Sequence, residues 1–260
     1  MRNAFSALIL AVLTVLPMGI GTVAKAQEVS RPALTDMSPA DREKLRTEIR
    51  AYLLEHPEVI MEAMQVLQAR QEANKAKADA VKVTKYHDII FNDGISWVGG
   101  NPKGDVTVVE FSDYRCAYCK RAFPEIKALL ESDPNIRFVV KEFPILGPDS
   151  VAAGRMALAA LKVDPDKYGK LHDALYSFHG TVTEEIAYKI AEHVGYDPAA
   201  LKKEADTDAV KSVINANYAL AQELELEGTP SFVIGDKIAR GYLTLDQMKE
   251  DVAAARQAKK

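Results

Sequence analysis

Two cysteines, Cys116 and Cys119, stand three residues apart, and the chain of 260 residues has no others. That spacing admits several kinds of chemistry. Two thiols within one turn can close a disulfide and reopen it by thiolate attack. The same pair is half of a structural zinc site, which needs about four ligands. It also suits a soft ion such as Cu(I). A scaffolding disulfide is a poor account, because so short a loop removes little entropy from the unfolded chain. Zinc lacks its other half: there is no second cysteine pair, and His56, His87, His172, His179 and His193 are scattered. Each histidine reads as an ordinary surface or core residue. Redox exchange is what the pair supports best.

The neighbours say how the thiols are held. Residues 106–111, Val-Thr-Val-Val-Glu-Phe, read as a buried strand, and residues 120–131 have helical spacing. Cys116 then lies at a strand-to-helix junction. A free thiol, pKa about 8.5, is mostly protonated at neutral pH. Unsatisfied N–H groups and the helix dipole favour the thiolate there. Cys116 is therefore the attacking thiol. Cys119, one turn further in, is the shielded thiol that resolves the mixed disulfide. Residues 136–140 form a second strand after the Asp133-Pro134-Asn135 turn. Strand, helix and strand make a βαβ unit with parallel strands and a right-handed crossover.

The remaining chain supplies the frame. Phe91 to Asn101, with the single Trp97, is a loop or short edge strand, and turn residues follow from Gly99 to Gly104. Helical patterns occupy 150–163, 165–178, 183–194, a segment opened by Asp197-Pro198, and 208–226. Strands at 231–234 and 238–242 flank a tight turn, and a terminal helix covers 245–257. Towards the N-terminus, Ser38-Pro39-Ala40-Asp41 opens a helix that His56-Pro57 breaks. A second helix runs on into an Ala/Lys/Gln-rich stretch from Gln68 to Lys85 with little to bury. Residues 38–90 are either an extension folded back on the domain or an oligomerisation stalk.

Arg2, the apolar run from Ala4 to Leu16 and Ala24-Lys25-Ala26 read as a cleaved secretory signal peptide, the alternative being an uncleaved anchor. The run is too short for a membrane span. Losing Arg2 and Lys25 takes the formal charge from −4 to −6. A mildly acidic chain with no basic cluster argues against nucleic acid and anionic membrane surfaces. The expected location is the periplasm.

Val109-Glu110-Phe111, four residues, Cys116-Ala117-Tyr118-Cys119 and then Pro124 resemble the active-site segment of the thioredoxin fold. Gly228-Thr229-Pro230 before a strand resembles its cis-proline loop. With a helical block between these motifs, residues 100–257 resemble the DsbA-like branch. The implied fold class is α/β: a thioredoxin fold at 96–257 with an inserted helical domain at about 149–227. A flexible leader at 27–37 and an N-terminal helical stalk at 38–95 precede it.

The resemblance implies site roles. Pro230 is cis and packs against the dithiol, and Thr229 offers backbone groups to a bound peptide. Glu110 is the buried acid that takes or relays the proton of Cys119. Lys141 is a candidate partner for Glu110 from the next strand. Pro124 kinks the active-site helix. Two features depart from the strongly oxidising relatives. They carry Pro-His where this chain has Ala117-Tyr118, and Tyr118 brings no positive charge. Thr before the proline also looks more like isomerase and reductase members. Residues 38–90 resemble the N-terminal segment of suppressor-of-copper-sensitivity C proteins, some of which trimerise through it.

The expected function is a periplasmic thiol-disulfide oxidoreductase, isomerase or oxidase, acting on exported proteins that carry thiols or disulfides. No cofactor or resident metal is implied, a homo-oligomer (a trimer) is expected through 38–90, and the membrane redox partner is not specified. Two other classes stay open. One is a copper-binding or copper-tolerance protein holding Cu(I) on Cys116 and Cys119. The other is an envelope structural protein on the same scaffold.

Overall fold

The computed structural model describes residues 37–258. The expected signal peptide, and the leader as far as residue 36, lie outside the described residues. The chain divides into two compact units between Met61 and Glu62. The first contains helix α1 (Pro39–Glu55) and the opening of α2 (Glu58–Lys85). Ser38 caps α1 by accepting a hydrogen bond from the Asp41 N–H at 3.2 Å, with Pro39 at the first position. No residue of α1 is buried. Ile49 and Tyr52 of its apolar stripe are about half exposed.

In the second unit α2 runs unbroken through the Ala/Lys/Gln-rich stretch. Its far end has something to bury: Val83 is 3 % exposed, and Asp79 forms a bidentate ion pair with Arg240 at 2.7 and 2.8 Å. The short helix α3 (His87–Phe91) follows.

The sheet has five strands: β1 (Trp97–Gly100), β2 (Val106–Ser112), β3 (Ile136–Glu142), β4 (Ser231–Ile234) and β5 (Lys237–Arg240). Their order is β1-β3-β2-β4-β5. Only β2 and β3 are parallel, joined by α4 (Ala117–Ser132); the other pairs are antiparallel. Trp97 stands on an edge strand. Between β3 and β4 the chain forms α5 (Pro148–Val163), α6 (Pro165–Ser177), α7 (Glu184–Val194), α8 (Pro198–Ala205) and α9 (Asp208–Glu223), and α10 (Leu245–Ala258) ends it.

Alternation along β2 and β3 separates two cores. Val106, Val108, Ile136, Phe138 and Val140 pack with Ile126 and Leu129 of α4 and with Met248 and Val252 of α10. Val109, Phe111 and Val139 face Ile90 and Phe91 of α3, Leu220 of α9 and Leu224 at its C-cap. A third core lies within α5–α8 and takes in Tyr114, Cys116 and Cys119.

Three expectations need correction. The helix expected over 208–226 stops at Glu223, because Glu225 takes the left-handed conformation (φ 55°) and Leu226 N–H turns back to the Ala221 carbonyl at 2.8 Å. The last strand ends at Arg240; Gly241 (φ 106°) leaves the ladder and donates to the Pro230 carbonyl at 2.9 Å. Lys141 does not pair with Glu110. The register sets Glu110 beside Val140 and Phe111 beside Lys141, so Lys141 projects from the opposite face. There its ammonium donates to Asp93 at 2.6 Å and to the Ser96 hydroxyl at 3.3 Å.

Candidate functional site

β2 ends at Ser112, four residues follow, and α4 begins at Ala117. Cys116 is the N-cap, in extended conformation, with its N–H donated to the Asp113 carbonyl at 3.0 Å. Asp113 holds this turn. One carboxylate oxygen accepts from the Arg115 N–H at 2.8 Å. The other accepts from the N–H groups of Ile145 and Leu146, at 2.9 and 3.1 Å, in the loop after β3.

The two thiols are free and held differently. Cys116 is 6 % exposed, and its Sγ lies 3.2 Å from the Thr229 carbonyl, which accepts a hydrogen bond from it when the thiol is protonated. The Thr229–Pro230 peptide bond is cis, as the motif implied. The Cys116 pKa is pulled down to about 5. The largest cause is the hydrogen bond from the Cys119 thiol; the Thr229 side chain and the N–H groups of Cys119 and Tyr118 add to it, against the opposing effect of burial. Cys119, 1 % exposed, is pushed strongly up, first by burial and then by donating to Cys116 and by the charges of Glu110 and Cys116. One thiol is thus prepared to attack at neutral pH. The other keeps its proton until a base removes it.

Glu110 is a buried acid whose charge acts on Cys119. It is 1 % exposed, on the same face of β2 as Val106 and Val108, where that face reaches α4. Burial pushes its carboxyl up to about 8; the Ser112 hydrogen bond works against this, and the Cys116 charge adds to it. Ser112 Oγ donates to Glu110 Oε1 at 3.0 Å and is also hydrogen-bonded to the Tyr176 hydroxyl of α6. Tyr118, between the cysteines, is 59 % exposed and places no cation there. Pro124 lies inside α4. Among the described residues no group of three or more His, Cys, Asp or Glu side chains has the arrangement of a metal site.

Comparison with known proteins agrees with this geometry. The model of the DsbA-like thioredoxin domain matches residues 107–253, more than half the chain. The chain belongs to the DsbA-like thioredoxin family. It is a thiol-disulfide oxidoreductase. Residues 41–74 match the N-terminal domain of the copper resistance protein ScsC. A thioredoxin-like oxidoreductase from Silicibacter pomeroyi is 44 % identical, with a TM-score of 0.63, and the match covers 65 % of this chain and 97 % of that one. ScsC of Proteus mirabilis, in a transitional conformation, is 27 % identical, with a TM-score of 0.63, over 86 % of this chain and 98 % of its own. Disulfide bond formation protein D of Bacillus subtilis is 24 % identical over 163 residues, 59 % of this chain and 73 % of the relative.

The structure brings the expected residues Cys116, Cys119, Glu110, Tyr118, Thr229 and Pro230 together from three separated segments. Sequence reasoning missed the groups that brace them. Asp113 had a local signal, an Asp opening a turn, where its carboxylate can take nearby N–H groups. Ser112 and Tyr176 had none, since α6 meets β2 only through the fold. Glu142, Tyr114, Tyr168 and His172 form a second buried polar cluster behind the dithiol.

Proposed function

We propose that this protein exchanges disulfides with exported, incompletely folded proteins in the periplasm, as an isomerase that can also act as an oxidase. The observation that carries this reading is the asymmetric dithiol: a Cys116 thiolate against the cis-proline loop, backed by a protonated, buried Cys119. Its Cys116 pKa of about 5 falls between the roughly 3.5 of a strong oxidant and the roughly 7 of a reductase. An intermediate thiolate suits a catalyst that both attacks and releases substrate disulfides.

The steps balance as follows. The Cys116 thiolate attacks one sulfur of a substrate disulfide; a Cys116–substrate bond forms, the substrate S–S bond breaks, and the other substrate sulfur leaves as thiolate. In isomerisation a second substrate thiolate displaces Cys116, with no net oxidation. Otherwise Glu110 takes the Cys119 proton, and the Cys119 thiolate attacks Cys116 Sγ. This step leaves the substrate reduced by two electrons and the enzyme as a disulfide. Substrate oxidation is the reverse, and the oxidised dithiol is then restored by a redox partner. Ile145 and Leu146, 36 % and 47 % exposed and tied to the Cys116 turn by Asp113, with Tyr118 offer apolar side chains to an unfolded segment.

Oligomerisation through residues 38–90 supports isomerisation, because several dithiols near one substrate raise the effective concentration for a second exchange. The ScsC-type match at 41–74 and the exposure of Ile49 and Tyr52 on α1, and of Ile60, Met64 and Leu67 on α2, support the assembly. In the test, Cys116→Ala abolishes reactivation of scrambled ribonuclease and reduction of insulin, and native mass spectrometry reports a trimer. Full activity in Cys116→Ala overturns the reading. A monomer removes the oligomer from it.

A further inference from the structure

The polar end of the β2–β3 face holds two buried acids, not one. Ser112 and Glu142 are cross-strand partners in the parallel register, so Glu142 lies on the same face as Glu110. It is 2 % exposed. Its Oε1 accepts hydrogen bonds from the Tyr114 hydroxyl at 3.0 Å and the Tyr168 hydroxyl at 2.7 Å. Tyr114 is also 3.1 Å from the Tyr168 hydroxyl and 3.1 Å from His172 Nδ1. The Tyr114 hydroxyl has one proton and three neighbours able to accept it, so this cluster can hold its protons in more than one arrangement. No ion pair joins either glutamate to a cation among the described residues: Lys141 is on the far face with Asp93, and Lys127 pairs with Asp173.

We propose that Glu142 is a positioning residue for the dithiol: with Tyr114, Tyr168 and His172 it forms a second proton-holding cluster that sets how readily Glu110 takes the proton of Cys119. The inference rests on the reading of Glu110 as the acceptor of that proton. The link between the clusters is short. The rings of Tyr114 and Tyr176 are 4.8 Å apart, and Tyr176 is bonded to Ser112, which donates to Glu110. Tyr114 itself is two residues from Cys116.

The groups around Glu142 are Glu110 from β2, Asp113 and Tyr114 from the turn, and Tyr168 and Tyr176 from α6, with His172 beyond Tyr114 under the charges of Asp173 and Lys127. Burial pushes the Glu142 carboxyl up to about 8, the two tyrosine hydrogen bonds oppose this, and the charges of Asp113 and Glu110 add to it. His172, pulled down to about 4 mainly by burial, is neutral at working pH. Two carboxyls on one face, neither of them ion-paired, cannot both ionise easily, so the charge on one delays the other.

The test uses the full chain loaded with a glutathione mixed disulfide on Cys116, and follows release of glutathione from pH 5 to 10. Release rises as Glu110 becomes a base. Glu142→Gln keeps the shape of the side chain and removes the second charge. The inflection then moves to lower pH by about one unit, a tenfold change in proton occupancy. Tyr168→Phe removes a donor that favours the Glu142 carboxylate, and moves the inflection the same way by less. It also carries the test if Glu142→Gln fails to fold. A rate lowered equally at all pH values, or an inflection that stays in place, overturns the role of Glu142. Glu110→Gln must erase the inflection. If the inflection survives there, it is the reading of Glu110 that fails.

Discussion

Asp93 and Glu110 are acids set against opposite faces of the same sheet, and only one of them meets a cation. Burial resists ionisation of Asp93, yet hydrogen bonds and charge from Lys141, with help from Ser96, hold its carboxyl below the ordinary range. Lys141 is itself pulled down by burial, which Asp93 only partly offsets. Glu110 meets only the Ser112 hydroxyl and is pushed up to about 8. A paired acid stays charged at every physiological pH and fastens the loop before β1 to β3. An unpaired one changes its protonation near neutrality, which is what a proton acceptor requires. One residue of strand register separates these outcomes, because Lys141 and Glu142 are neighbours on opposite faces.

The largest effect comes from breaking the paired side. Lys141→Met leaves the Asp93 carboxylate largely buried without its cation, and a buried pair broken this way costs about 3–5 kcal/mol. The expected result is a denaturation midpoint lowered at unchanged slope, recovered in large part by adding Asp93→Asn. A loss below about 1 kcal/mol would mean that the pair behaves as an exposed one.

Next comes the unpaired side. Glu110→Gln slows Cys119 attack on the mixed disulfide by about 10²-fold, the lower range for loss of a general base. Its stability should respond to pH in a defined sense. The folded-state pKa, about 8, lies above the ordinary 4.5, so the folded chain binds more protons between those values. The stability from this group is full below about 4.5 and is lost as pH rises through 8. Relative to wild type, Glu110→Gln is therefore favoured by on the order of a few kcal/mol more at pH 9 than at pH 5. Cys116 works in the other direction: with its pKa lowered to about 5, its contribution is full above 9 and lost as pH falls through 5. It is present in both proteins and largely cancels. A wild-type and variant difference that stays flat with pH would contradict the titration of Glu110.

The contrast between the two faces was only half visible in the sequence. Strand, dithiol and helix are contiguous, and the Thr229–Pro230 motif stands directly before a strand, so both were legible from local pattern. Glu110 was legible as buried because apolar residues flank it. Its partner was not. Choosing between Lys141 and Glu142 as its same-face neighbour needs the inter-strand register, and residue types alone do not set that. Tyr168, His172 and Tyr176 repeat every four residues along α6, which marks one helix face but not what it meets. Asp79 sits where the chain seemed to have little to bury; its partner Arg240 is contributed by β5, far along the sequence.

The smallest effect comes from adding a cation between the cysteines. Tyr118→His places an ionisable ring on the first turn of α4, between the cysteines. The side chain there is 59 % exposed, so solvent screens its charge, and the positive end of the helix dipole opposes its protonation. The imidazolium should favour the Cys116 thiolate by about 1 kcal/mol at most, the scale of an exposed charge pair. Favouring the thiolate stabilises the reduced enzyme, so the dithiol becomes more oxidising by about 20 mV for a two-electron couple. The change should appear at pH 6 and vanish at pH 8, where the imidazole is neutral. Redox titration against glutathione at both pH values measures it. The same unit charge counts for several kcal/mol at Lys141 and about one at residue 118, because burial, more than charge, sets the size. An equal shift at both pH values would attribute the effect to losing the tyrosine instead of to the cation.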